Sequence, residues 1–235
     1  AGVIVAGNWK MYPGPDPVVL AARLARVPGV DAIVCPPFTG LAACVAAGLT
    51  TYAQNVHWDP EGAFTGEISA PMLIGLGVTG SIVGHSERRQ YFGESDEGVS
   101  RRAKAALDAG LHVIACVGET QEEREAGETE TVLRVQVGAI AAACGPHERL
   151  VIAYEPVWAI GTGLTATPAI AQEAHAIVKS VLDRPVLYGG SAKPENVAEL
   201  FSEPDVDGAL VGGASLVIQS FVGICELAAE AAAAR

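Results

Sequence analysis

Three side chains of different chemistry follow apolar runs: Lys10 after Val3–Ala6, His85 after Ser81–Gly84, and Glu155 after Leu150–Tyr154. One carboxylate, one imidazole and one ammonium can together move a proton beside a carbonyl and steady the charge that develops there. No serine or cysteine is obviously paired with the histidine, which disfavours acyl transfer. Pro156 fixes its own φ and restricts Glu155, while Gly161 and Gly163 free the tip beyond. The stretch reads in two ways. It is a base joined to a mobile lid, or an ordinary loop whose glutamate caps a strand.

The groups around these three carry similar alternatives. His85 precedes a helical segment, Ser86–Gln90. A helix N-terminus disfavours the imidazolium, so a neutral, donating ring suits the position, as does a ring that only caps the helix. Lys10 is a point cation suited to an anionic substrate, or a solvated loop lysine. Asn8 is a substrate-orienting amide or a turn former. Gly189-Gly190-Ser191 and Gly212-Gly213 permit tight turns, and they also match loops whose clustered N–H groups hold a phosphate. Arg88 and Arg89, beside Glu87, suit ion pairs or an interface better than chemistry.

Positioning these groups requires a regular frame. The strand candidates are Val3–Ala6, Ala32–Cys35, Thr50–Gln54, Ser81–Gly84, His112–Val117, Leu150–Tyr154, Pro185–Tyr188 and Gly208–Val211, most of them rich in Val and Ile. Between them, Asp16-Pro17 opens a helix to about Arg26, and Thr167-Pro168 opens Ala169–Leu182. Ser95-Asp96-Glu97 starts a helix to about Ala109, ended by Gly110, and a last helix runs from Leu216 to about Ala231. This alternation predicts an α/β fold, a closed (β/α)8 barrel formed by a single domain over residues 1–235, with a doubly wound sheet as the alternative. In such a barrel the site lies at the C-terminal strand ends. Polar residues gather there, while the opposite ends carry bland turns such as Gly29-Val30-Asp31. His85 and Glu155 are expected on opposite sides of the mouth.

Composition narrows the partners. The 235 residues are 50% hydrophobic but only 6% aromatic, so the core is built from small aliphatic side chains, and the formal net charge is −12. That charge disfavours nucleic acid and anionic membranes; an anionic substrate needs a local lysine and backbone N–H groups. No apolar run reaches spanning length, and the short apolar opening lacks the basic start of a secretory signal. Five scattered cysteines without a C-x-x-C pair argue against disulfides or a zinc site and fit a cytoplasmic location. Gly161-Thr162-Gly163 lacks the third glycine of a dinucleotide fingerprint.

Asn8-Trp9-Lys10-Met11, Gly84-His85-Ser86-Glu87-Arg88-Arg89, Ala153 through Gly163, Tyr188-Gly189-Gly190-Ser191 and Leu210 through Ser215 together resemble the triosephosphate isomerase family, in register along essentially the whole chain. The resemblance implies interconversion of dihydroxyacetone phosphate and glyceraldehyde 3-phosphate without metal or organic cofactor. It implies Glu155 as the base, neutral His85 as the donor to the enediolate oxygens, and Lys10 as the charge stabiliser. Asn8 would help orient the substrate. N–H groups near Gly161, Ser191, Gly212 and Gly213 would hold its phosphate. Pro156 to about Thr165 would be the lid. The family also implies a homodimer, with the segment from Gln54 through Glu67, including Thr65, reaching the neighbouring subunit's Asn8 and Lys10. Cys116 matches a structural cysteine. Tyr12, Ala192 and Leu216-Val217-Ile218 depart from the family pattern, at the edge of the first loop and around the start of the last helix. An aldolase on the same barrel would want an inward lysine, and Lys104, Lys179 and Lys193 fall on helices or loops. A binding-only barrel is the alternative from another class.

Overall fold

The computed structural model describes residues 2–235; Ala1, at the head of the apolar opening, lies outside them. Among the described residues eight strands form one parallel sheet: β1 Val3–Asn8, β2 Val30–Cys35, β3 Tyr52–Ala53, β4 Gly80–Val83, β5 His112–Val117, β6 Leu150–Tyr154, β7 Val186–Tyr188 and β8 Gly208–Val211. Their order is β2-β1-β8-β7-β6-β5-β4-β3. The two ends meet through a parallel bridge between Val34 and Thr51, with the Val34 N–H donating to the Thr50 carbonyl at 2.9 Å. The ring therefore closes, and the expected (β/α)8 barrel is the observed one. A doubly wound sheet would leave two open edges.

Alternation along the strands divides the core. Ala6, Ile33, Ile82, Ile114, Leu187 and Leu210 fill the interior of the ring. Val5, Val34, Val113, Ile152, Val186 and Val211 belong to the larger cluster that also takes in the helices. With both faces covered, the strands read as the near-continuous Val/Ile/Ala runs seen in the sequence.

Among the described residues ten helices accompany the strands: α1 Pro17–Leu24, α2 Leu41–Ala46, α3 Ala70–Leu76, α4 Ser86–Phe92, α5 Asp96–Ala109, α6 Gln121–Glu125, α7 Thr129–Cys144, α8 Pro168–Val181, α9 Val197–Phe201 and α10 Ile218–Ala233. The expected caps are formed. Asp16 accepts from the Val18 N–H at 2.8 Å, Thr167 from the Ile170 N–H at 3.2 Å, and Ser95 from the Gly98 N–H at 3.1 Å.

Several boundaries differ from expectation. β1 runs on to Asn8, which pairs with Cys35. Gly84 leaves β4, because its φ of 67° turns the chain out of the ladder toward His85. β3 keeps only two of five expected residues: Thr51 forms the closing bridge and accepts from the Thr79 N–H at 3.1 Å, and the Gln54 side chain reaches the Lys10 and Cys35 carbonyls. The last helix starts at Ile218 rather than Leu216: residues Gly213–Leu216 form a 3-10 turn, and extended Val217 separates the two. The N-terminal strand ends are not bland. Asp31, His112, Arg149 and Arg184 surround a cavity there.

Candidate active site

The C-terminal strand ends open on a cavity of about 670 Å³. Asn8, Lys10, His85, Glu155, Gly161, Ser191, Gly212 and Gly213 all line it, so every expected catalytic or substrate-binding residue meets in one place. Thr65 and Glu67 do not line it; they are exposed on the loop before α3.

Glu155 leaves the end of β6 almost fully buried. Its Oε1 accepts from the Ser86 N–H at 2.9 Å and its Oε2 from the Ser86 hydroxyl at 3.0 Å. His85 Nε2 lies 3.0 Å from the same Oε2. The expectation of opposite sides was wrong, because strand order places β5 alone between β4 and β6. Glycine makes the fit possible: a Cβ on Gly118 would collide with the Glu155 carbonyl oxygen, and one on Gly189 would come within 2.9 Å of its Cγ.

His85 is both donor and cap. Its Nδ1 accepts from the Glu87 N–H at 3.1 Å, which requires that nitrogen to be bare. The proton of the neutral ring then sits on Nε2, aimed at Glu155 and the cavity. The two readings of this histidine are one arrangement. Arg89 secures the turn behind it, donating to the carbonyls of Gly84 and Cys116 at 3.0 and 3.1 Å and pairing with Asp96 at 2.6 Å. Arg88 pairs with Glu94 at 2.7 Å, so both arginines serve ion pairs as the sequence suggested.

Burial by itself would push the Glu155 carboxyl up, but His85 and the two Ser86 donors outweigh it and hold it below its ordinary value. For His85, burial disfavours the imidazolium and Lys10 opposes it too. The carboxylates of Glu155 and Glu87 prevail and raise the ring's pKa while the pair is in contact. Burial, then Glu155, push the Cys116 thiol far up, so it is no nucleophile.

Lys10 has a φ of 53°, the sole positive value at a non-glycine position among the described residues. Such a conformation costs about 1–3 kcal/mol unless its surroundings hold it. Asn8 Oδ1 accepts from the Lys10 N–H at 2.9 Å, and Gln54 Nε2 donates to the Lys10 and Cys35 carbonyls at 2.8 and 2.9 Å. Asn8 is thus a turn former that aims Lys10. The ammonium pairs with Glu87 Oε1 at 2.6 Å and stands close to Gly212, where a Cβ would lie 3.9 Å from Nζ. The cation therefore borders the glycine loop expected to take a phosphate. The Ser215 hydroxyl lies 2.7 and 3.2 Å from the Gly212 and Asn8 carbonyls, tying the ends of β8 and β1 together.

The segment after Glu155 forms a 3-10 turn, Val157–Ala159, followed by an exposed stretch over 161–165 in which Gly161 and Gly163 have positive φ. Its base is anchored by Glu119, a residue the sequence reading passed over. Glu119 Oε1 accepts from the Tyr154 hydroxyl at 2.7 Å and the Trp158 indole at 2.8 Å, and its Oε2 is buried without a partner. Burial and then Glu119 push the Tyr154 phenol far up, keeping it a donor. The signal was present in Val117-Gly118-Glu119, a carboxylate two residues beyond the fifth strand. Gln54 and Glu87 carried no comparable signal, since their partners are remote in sequence or part of an acidic first turn.

The family model described as Triosephosphate isomerase matches residues 3–228. The chain belongs to the triosephosphate isomerase family. Among curated relatives bearing that name, the Chloroflexus aurantiacus protein is 48% identical over 242 residues, covering 94% of this chain and 97% of its own length. The Carboxydothermus hydrogenoformans protein is 49% identical, covering 94% and 96%, and the Xanthomonas campestris pv. campestris protein is 46% identical, covering 96% and 98%. The closed ring of eight parallel strands and the family match agree.

Proposed function

We propose that Glu155, His85 and Lys10 carry the family reaction, the interconversion of dihydroxyacetone phosphate and D-glyceraldehyde 3-phosphate in glycolysis and gluconeogenesis. Glu155 removes the proton from the carbon beside the carbonyl and returns it to the neighbouring carbon. His85 donates from Nε2 to the developing enediolate oxygens and passes the proton between them, and a neutral imidazole is the form that can do both. Lys10 balances the enediolate charge and the phosphate, giving up part of its contact with Glu87 to do so. Asn8 holds Lys10 in its left-handed conformation, and N–H groups at Gly161, Ser191, Gly212 and Gly213 take the phosphate dianion without a basic surface. All the proton-moving groups belong to the chain.

The observation that carries this reading is the buried Glu155 carboxylate held between the Ser86 hydroxyl and His85 Nε2. In that position the base is parked: its oxygens are occupied by protein donors. Substrate must draw it off, and residues 156–165 close over it. Closure excludes water, strengthens the electrostatic contacts and keeps the enediolate from expelling phosphate.

The chain acts as a homodimer in this proposal. Met11 and Tyr12 follow Lys10 on an exposed loop, and Phe64 stands exposed beside Thr65. A second copy would cover these side chains, with Thr65 and Glu67 reaching its Asn8 and Lys10 loop. No described helix is long and apolar enough to cross a membrane, and five free cysteines suit a reducing, cytoplasmic setting. The deciding experiment is a coupled isomerisation assay on the purified protein beside Glu155→Gln. Turnover should fall by about 10²–10⁴-fold. Turnover surviving the substitution would remove Glu155 as base, and a wild type without turnover would favour a binding-only barrel.

A further inference from the structure

The barrel has a second mouth at the N-terminal strand ends, and it is hollow. Inward positions follow the strand alternation from Ile33, Ile114 and the interior core, so the outermost inward residues are Ile4, Asp31, His112 and Val151, with Gly80, Pro185 and Gly208 on the other strands. Two glycines and a proline leave three of the eight inward places without a side chain able to plug the ring. Tyr52 uses one of them: its ring lies over Gly80, where a Cβ would sit 2.6 Å away. Gly208 lets its strand approach the Ile4 carbonyl, where a Cβ would collide, and beside Pro185 lies a cavity of about 710 Å³ that matches the catalytic one in size.

Its lining is amphipathic. Ile4 and Val151 are only partly covered at its floor, and the rings of Tyr52 and His112 stack at 6.3 Å on one wall. Arg149 and Arg184 enter from the neighbouring β6 and β7 ends. Each guanidinium is fixed through Nε and one terminal nitrogen: Arg149 donates to the carbonyls of Leu111 and Leu107 at 3.3 and 2.6 Å, and Arg184 to those of Leu150 and Glu148 at 2.8 and 2.7 Å. Two preorganised arginines are thus set at the edge of an apolar hollow, in a chain whose net charge is −12. Asp31, on β2 across the ring from β6, and Glu148, next to Arg149, are both exposed at the rim. Burial and then Arg149 lower the pKa of His112, leaving the stacked ring neutral at pH 7.

We propose that this mouth is a ligand site for a small organic anion with an apolar, aromatic body, its acid group on Arg149 and Arg184 and its body over Ile4 and Val151 beside the Tyr52–His112 pair. The site is independent of the isomerase chemistry, from which the packed interior of the ring separates it. Preorganised guanidinium forks are suited to carboxylate, sulfonate or phosphate groups, and an apolar floor with a few convergent polar groups is the usual form of a small-molecule site.

The test is a fluorescence titration of the purified protein with 8-anilinonaphthalene-1-sulfonate, with and without saturating dihydroxyacetone phosphate. One saturable site that the triose phosphate leaves in place is expected. Arg184→Met should weaken it about ten-fold, the loss of one charged hydrogen-bond partner. Val151→Phe, filling the floor, should abolish it, and Asp31→Asn should tighten it several-fold, with turnover unchanged in all three. Asp31 is exposed, so its variant reports even if the others fold poorly. Displacement by dihydroxyacetone phosphate, or affinity indifferent to Asp31→Asn and Val151→Phe, would overturn the proposal.

Discussion

His85 Nε2 and Glu155 Oε2 lie 3.0 Å apart, so the donor and the base of the proposed reaction rest against each other before substrate arrives. Each sets the other's charge. Contact with Glu155 raises the His85 pKa, whereas burial and Lys10 lower it. Moving the carboxylate to a substrate carbon therefore removes the main support for the imidazolium just when a neutral ring is needed. Glu155→Gln should reproduce this. A ¹⁵N NMR titration is expected to place His85 above 6.5 in the wild type and to move it down in the variant. An unchanged or higher value would break the coupling.

Ser86 is the other half of the parking place. Its hydroxyl and N–H both lower the Glu155 pKa. Ser86→Ala removes the hydroxyl alone, so the carboxyl should protonate at higher pH. The acid limb of the kcat/KM profile, which reports the free enzyme, should then shift upward, with less than about ten-fold loss at its plateau, the range of one hydrogen bond to a charged group. An acid limb that stays put would show that Ser86 does not govern the base.

The fold was legible because its strands are continuous apolar runs and its helices carry side-chain caps. β5, β6 and β8 have the expected bounds, and Asp16, Ser95 and Thr167 cap as their types suggest. Lys10, His85 and Glu155 were legible because each ends such a run. Distance was not. Strand order alone determines that His85 and Glu155 touch, and no local pattern encodes it. Gln54 and Glu119 were hidden for a related reason: one grips carbonyls 44 and 19 residues away, and the other collects donors 35 and 39 residues on. The N-terminal mouth looked bland because Asp31, His112, Arg149 and Arg184 belong to four different strand ends and meet only when the ring closes.

Trp158 anchors the base of the proposed lid through Glu119 at 2.8 Å. Trp158→Phe keeps most of the packing but withdraws one donor from a buried carboxylate that already has an unpartnered oxygen. The loss should cost about 1–3 kcal/mol in urea unfolding. It should also loosen residues 161–165, seen as faster limited proteolysis there and a KM that rises more than kcat falls. Unaltered proteolysis would separate the indole from lid control.

His175 offers a pH effect outside the site. It lies fully buried on α8, its ring edge-on to Tyr154 at 5.7 Å, and its Nδ1 meets the Asp205 carbonyl at 2.9 Å. Nδ1 must therefore carry the proton, leaving Nε2 bare and buried without a partner. A second proton there would be an uncompensated buried charge, and burial lowers the pKa to about 4, well below the ordinary 6.5. Between those values the unfolded chain binds a proton that the folded one refuses, so stability falls as pH drops through that window. The loss from this residue between pH 7 and 5 is about 2 kcal/mol. His175→Gln can still donate to Asp205 but does not titrate. It should be less stable than wild type at pH 7 and lose less on going to pH 5, as measured by urea unfolding at fixed protein concentration. Parallel losses in the two proteins would assign the acid sensitivity elsewhere.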